Sequence, residues 1–217
     1  MASEAARGNE FNAGGIGNPP EHETILPFTR LIGGPMDYTP GVFQVTLDHW
    51  VPGKKSRVHT TLAKQLALYV TMYSPLQMAA DLPEVYNAHL DAFQFIEDVA
   101  VDWDDTRYVE AEPGDYVTIA RKAKGKDEWY IGAITDEHAR TASVPLSFLE
   151  PNRKYVATVY ADAPDADWEK NPMAYKITTQ DVTSRAVLSL VLANGGGAAV
   201  TIRPACKGPS GGGRCSS

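Results

Sequence analysis

The sequence predicts two successive fold classes, an α/β segment followed by an all-β one. Three observations carry this. Apolar residues at 62, 66, 69, 70 and 73 recur at three- and four-residue spacing, the stripe of a helix with one buried face. From Asp102 to Pro204, short segments rich in β-branched and aromatic residues alternate with Gly, Pro and Asn turns, the pattern of an antiparallel sandwich or barrel. Between them, at residues 100 to 112, the texture changes.

Taken in order, residues 1–24 are polar and Gly-rich and read as an irregular loop. Residues 25–33 form an apolar run too short to separate a strand from a short buried helix. The run stops at Gly33-Gly34-Pro35, and a polar segment with Asp37 and Tyr38 follows before Pro40-Gly41. An apolar strand ending in such a loop is a common way to present an acid to a ligand; the plainer reading is a turn capped by Asp37. VFQVTL at 42–47 alternates like a strand. Thr60 and Thr61 can cap a helix running to about Tyr73, which Ser74-Pro75 ends. LQMAA at 76–80 suits a short buried strand, and a second helix is expected over about 84–98 with Val85, Leu90, Phe93 and Ile96 inward. VDWDDTRYVEAEPGD reads as the crossing segment. Strands are then expected at YVTIARK, WYIGAIT, ASVPLSF, YVATVYADA, AYKITTQDV, AVLSLVL and AAVTIRP, before a low-complexity tail at 205–217. Trp129, Tyr130, Tyr155, Tyr160, Trp168 and Tyr175 read as sandwich core rather than a sugar-binding platform.

The 217 residues are 43% hydrophobic and 22% charged, which suits a chain with a sizeable core. A net charge of -7 with no basic stripe argues against nucleic acid or an anionic membrane as partner. No apolar run approaches the roughly 18 residues of a membrane span, and the first residues lack the apolar core of a signal peptide. Cys206 and Cys215 both lie in the tail, so the fold does not lean on a disulfide. No P-loop, GxGxxG, zinc-type Cys/His spacing or Ser/His/Asp order is present. Residues 1–99 supply only two or three strands, too few to bury a parallel sheet on both faces; they form either a small unusual domain or part of something longer.

Three stretches are specific enough to suggest a family: SEAARGNEFN at 3–12, HETILPFTRLIGGPMDYTPGVF at 22–43 and LAKQLALYVTMYSPLQMAADLPE at 62–84. They resemble glycoside hydrolase family 97, bacterial exo-acting α-glycosidases such as the α-glucosidase of the starch-utilisation type. The resemblance runs from Glu4 to about Pro204. It implies that residues 1–104 are the terminal part of a catalytic (β/α)8 barrel and that 105–204 are the β-sandwich domain that follows it; 205–217, by composition, read as a disordered tail.

By the same resemblance, Glu4 in the Ser-Glu-Ala-Ala-Arg-Gly string is a calcium ligand, and Glu10, six residues later, is the general acid and contributes to the Ca2+ site. The chemistry suits those residue types. A glycosidic oxygen leaves readily only once protonated, and calcium is a hard cation that takes carboxylate oxygens. The general base or nucleophile is implied to lie on earlier barrel strands, outside this chain. His22 and Asp37 are candidate contacts to sugar hydroxyls, and Arg7 can pair with a glutamate or touch substrate. The resemblance further implies an α-linked oligosaccharide substrate, a periplasmic or secreted parent protein and a homo-oligomer formed through the C-terminal domain. The alternatives are an α-galactosidase of the same family, or a non-catalytic β-sandwich module for oligomerisation or carbohydrate binding.

Overall fold

The computed structural model describes residues 3–4, 7–49 and 51–205; the cysteines of the tail lie outside them. The elements run β1 (Ser3–Glu4), α1 (His22–Ile25), β2 (Met36–Asp37), α2 (Leu62–Thr71), α3 (Pro83–Asn87) and α4 (Leu90–Asp98). Eight strands follow: β3 (Trp103–Glu112), β4 (Tyr116–Ala123), β5 (Trp129–Thr135), β6 (Arg140–Pro145), β7 (Tyr155–Asp162), β8 (Tyr175–Val182), β9 (Val187–Leu192) and β10 (Gly197–Pro204).

Six of those strands form one antiparallel sheet in the order β3-β4-β5-β10-β7-β8, while β6 and β9 pair as a separate ribbon. The sheet is covered on both faces. One face packs on α2, α4 and the loops before them; the other packs on the ribbon. Successive residues of β5 serve the two cores in turn: Trp129, Ile131 and Ala133 face the ribbon, and Tyr130 and Ile134 face the helices. Double coverage explains why β5 reads as an unbroken apolar run, whereas β9 alternates, with Leu188, Leu190 and Leu192 inward and Val187, Ser189 and Val191 outward.

Helix α2 is the hinge of the architecture. Thr61 caps it, its hydroxyl accepting from the Lys64 amide at 3.2 Å. All ten of its residues are buried, because the sheet lies on one side and the N-terminal loops on the other. Each fully buried leucine there stabilises by on the order of 2 kcal/mol. The helix sits so close to β5 that a Cβ on Gly132 would stand 2.6 Å from the Ala67 carbonyl oxygen.

Several expected elements differ. The run at 25–33 is neither strand nor one helix; it is two 3-10 turns, Leu26–Phe28 and Arg30–Gly33, with Pro27 at the start of the first. VFQVTL forms no strand beyond a single bridge between Thr46 and Arg57. Its amides at Phe43 and Gln44 go instead to the Asp81 carboxylate, at 2.8 and 2.7 Å. LQMAA is irregular and largely exposed rather than a buried strand. The helix expected over 84–98 breaks at Ala88–His89 into α3 and α4. Tyr86, Ala92 and Phe95 are its most buried side chains, and Leu90 is exposed. The segment read as a crossing is β3, an edge strand of half-exposed acidic residues. The parallel, barrel-like part expected of residues 1–104 amounts, among the described residues, to one pairing of two residues, Ser3 with Met36 and Glu4 with Asp37. No helix among the described residues is long and apolar enough to cross a membrane.

Candidate functional site

The loop from Arg7 to Asn18 is short of apolar side chains, and its order comes from buried amides. Gly8 leads into a 3-10 turn over Asn9–Ala13. Asn9, Asn12 and Asn18 are each almost fully buried. Asn12 donates to the carbonyl and side-chain oxygens of Asn9, both at 2.9 Å. The Asn18 amide nitrogen donates to the Asn12 side-chain oxygen at 2.8 Å, and its carboxamide reaches the carbonyls of Arg7 and Gly8. A loop this polar could not be buried without such pairing.

Glu10 stands on that turn and is exposed. Its carboxylate folds back over Gly8, where an added Cβ would lie 2.5 Å from Oε2. His22, at the start of α1, bonds through Nε2 to the Arg7 carbonyl at 2.9 Å. That oxygen can only accept, so Nε2 carries the proton. Asp37 ends β2, paired with the backbone of Glu4, and its Oδ1 accepts from the Thr39 hydroxyl at 3.1 Å. Three residues distant in sequence are thus brought onto one connected loop cluster. Of Glu4 only the backbone is described. Arg7, in a left-handed conformation at φ 57°, sends its guanidinium to the Gly17 carbonyl and over the Phe11 ring at 4.3 Å.

Beneath the cluster lies a buried polar network absent from the sequence reading. The Tyr38 hydroxyl donates to Glu23 Oε1 at 2.6 Å, and Lys64 Nζ lies 3.3 Å from Glu23 Oε2. Lys64 also donates to the carbonyls of Pro20 and Thr135 at 2.6 and 2.9 Å. Glu23 Oε2 has the ammonium as charge partner without an aligned hydrogen bond. Burial, and then the Glu23 charge, push the Tyr38 hydroxyl well above its ordinary pKa, so it remains a proton donor. Gln65, next to Lys64, accepts through Oε1 from Asn9 at 3.3 Å and from the amides of Gly41 and Val42 at 3.0 and 3.2 Å. Two polar residues inside an apolar helix, and three asparagines in a Gly-rich loop, were the available signals for this network.

Calcium takes about six to eight oxygen ligands. Among the described residues, the one group of three potential metal ligands is Asp136, Glu137 and His138, on the turn after β5, and it includes none of the expected ligands. Glu10 is not part of such a group among the described residues.

A family model for the glycosyl-hydrolase 97 C-terminal domain, described as an oligomerisation domain, matches residues 102–203, which span β3 to β10. The structure of a Glycoside Hydrolase Family 97 enzyme from Pseudoalteromonas sp. strain K8 in complex with acarbose superposes with a TM-score of 0.88 at 45% identity. It covers 92% of this chain and 31% of that one. The chain belongs to glycoside hydrolase family 97.

Other family 97 structures of the Pseudoalteromonas enzyme, one a variant in complex with panose, superpose equally well. A retaining α-galactosidase from Bacteroides thetaiotaomicron is 34% identical over 185 residues, 84% of this chain and 27% of that protein. A probable retaining α-galactosidase from Streptomyces bingchenggensis is 33% identical over 165 residues, 76% and 24% of the two chains. The family 97 chain described here thus spans about a quarter to a third of the length of these relatives. A β-arabinopyranosidase, 24% identical with a TM-score of 0.67, shares the fold.

Proposed function

We propose that these residues belong to an exo-acting α-glycosidase of the α-glucosidase type, in which Glu10 is the general acid. The observation that carries this reading is the exposed Glu10 carboxylate on a loop whose backbone is fixed by buried amides. A proton donor needs that combination: an accessible acid at a set position. Glu10 would give its proton to the glycosidic oxygen as the bond to the anomeric carbon breaks. His22, with Nε2 committed to Arg7, has Nδ1 as the acceptor side for a sugar hydroxyl. Asp37, at the end of β2, would accept from another. The base or nucleophile, and the barrel that bears it, would come from residues outside those described.

The α-glucoside assignment is favoured by the 45% identity to an enzyme that binds panose, an α-linked glucose trisaccharide. The α-galactoside reading is favoured by the two curated relatives at 34% and 33%. Rates on aryl α-glucoside and aryl α-galactoside by the full-length enzyme separate the two. Glu10→Gln should lower turnover of an alkyl α-glycoside of the preferred sugar by about a hundredfold or more, the scale of acid catalysis. Full activity in that variant removes Glu10 from the role. The 217 residues alone are expected to show no turnover, and measurable hydrolysis by them would contradict the proposal. If the full-length protein also turned over neither substrate, the non-catalytic module would be the better reading.

Calcium, a homo-oligomer through the β-domain and a periplasmic or secreted location complete the proposal. Metal analysis before and after chelation, light scattering and fractionation test them in turn.

A further inference from the structure

Lys64 and Gln65 are consecutive residues on the first turn of α2, both fully buried, and their side chains reach the Glu10 loop by two routes. Lys64 grips Glu23, Glu23 holds the Tyr38 hydroxyl, and the Tyr38 carbonyl accepts the Asn9 amide at 3.0 Å. Gln65 accepts the Asn9 carboxamide directly and is itself oriented by donating to the Thr60 hydroxyl at 2.9 Å. Both routes end on Asn9, the residue before Glu10. Both begin on a helix pressed onto the sheet, and Lys64 is tied to it by the Thr135 carbonyl of β5. A buried ion pair is weak evidence for stability, since well-packed apolar residues of equal volume often serve as well. Direction comes from the aligned hydrogen bonds on either side of the pair, Lys64 to the carbonyls of Pro20 and Thr135 and Tyr38 to Glu23 Oε1.

We propose that Lys64, Glu23 and Gln65 are positioning residues that set where the Glu10 carboxylate stands, so that the β-sheet serves as the platform of the acid. This rests on the reading of Glu10 as proton donor. A shift of about 1 Å in a reacting group can cost about a hundredfold in rate. The loss has a signature: it falls on substrates whose leaving group needs a proton and spares those whose leaving group does not.

The test uses the full-length enzyme with two substrates of its preferred sugar, an alkyl α-glycoside and the α-glycosyl fluoride. Gln65→Met keeps the volume and removes the acceptor. Glu23→Gln keeps an acceptor for Tyr38 and removes the charge that Lys64 faces. Each should lower kcat on the alkyl glycoside by about 10- to 100-fold while fluoride hydrolysis stays within about threefold. Gln65→Glu, which retains the acceptor oxygen, should recover most of the loss. Leu190→Ala in the ribbon-side core, matched for thermal stability, should show no such split. If Glu10→Gln splits the two substrates and neither positioning variant does, the proposal is overturned and the acid assignment stands. If Glu10→Gln itself shows no split, the acid assignment fails and the proposal with it.

Discussion

Asp162 gives the sharpest test of how this fold handles buried charge. It ends β7 at 3% exposure, and the turn between β9 and β10 wraps around it. The amides of Ala193 and Gly197 both donate to Oδ2, at 2.8 and 2.9 Å, while Oδ1 makes no aligned hydrogen bond. Burial raises its pKa from the ordinary 3.8 to about 6, offset in part by Thr61, the two amides and the Lys64 charge. The folded pKa lies above the unfolded one. Below both values the proton is bound in either state and nothing is lost. As pH rises from about 4 to 6, the unfolded chain releases the proton that the folded chain retains, and stability falls. Above 6 the loss is complete. A shift of about 2 units corresponds to about 3 kcal/mol.

Asp162→Asn keeps an oxygen for the two amides and cannot ionise. It should therefore be more stable than the parent by about 3 kcal/mol at pH 7.5 and by only about 1 kcal/mol at pH 4.5. Urea denaturation of both proteins at the two pH values measures this. Other carboxylates titrate in both proteins and cancel in the difference. An advantage of the same size at both pH values, or an asparagine variant less stable at pH 7.5, would refute the argument that the ionised carboxylate is the strained state.

Two further substitutions probe the seat of α2. Gly132→Ala places a methyl group 2.6 Å from the Ala67 carbonyl oxygen and 2.9 Å from Val70 Cβ, neither of which can swing away, so the helix must lift. A loss of about 3 kcal/mol is expected in denaturant melts, with near-parental stability counting against so close a contact. Thr61→Ala removes the cap that accepts from Lys64 and should cost about 1 kcal/mol, with Thr61→Ser restoring it.

The strands of the β-domain were legible because their chemistry is local. WYIGAIT, YVATVYADA and the alternating VLSLVL carry β-branched and aromatic residues between Gly, Pro and Asn turns, and they fold as β5, β7 and β9 within a residue or so of the expected limits. β3 was missed because its sequence, WDDTRYVEAE, looks like a linker. It is an edge strand, where acidic side chains face water and discourage further pairing. The misread segments at 42–47 and 76–80 have strand-like patterns and no neighbour to pair with; only tertiary packing shows that VFQVTL hands its amides to Asp81. Leu90 and Ile32 fail for the same reason: they are apolar, yet they face outward from the described residues.

The candidate site was legible only in part, and the division follows how each residue does its work. Glu10 was singled out by the family resemblance, and His22 and Asp37 by their places beside the apolar run at 25–33. The residues that hold them are Asn9, Asn12, Asn18, Glu23, Lys64 and Gln65, polar side chains that sequence reasoning sends to the surface. The apolar side chains of the loop, Phe11 and Ile16, are exposed and do not anchor it, so directed hydrogen bonds must. Lys64 shows why periodicity could not find this. Its position on α2 looks outward from the apolar stripe, but a second layer of loops covers that side. There the ammonium replaces water with Glu23 and the carbonyls of Pro20 and Thr135. The carbonyls it joins belong to the N-terminal loops and to the sheet. Lys64 therefore ties the candidate site to the β-domain by direct bonds, and loss of its charge should be felt on both sides of α2.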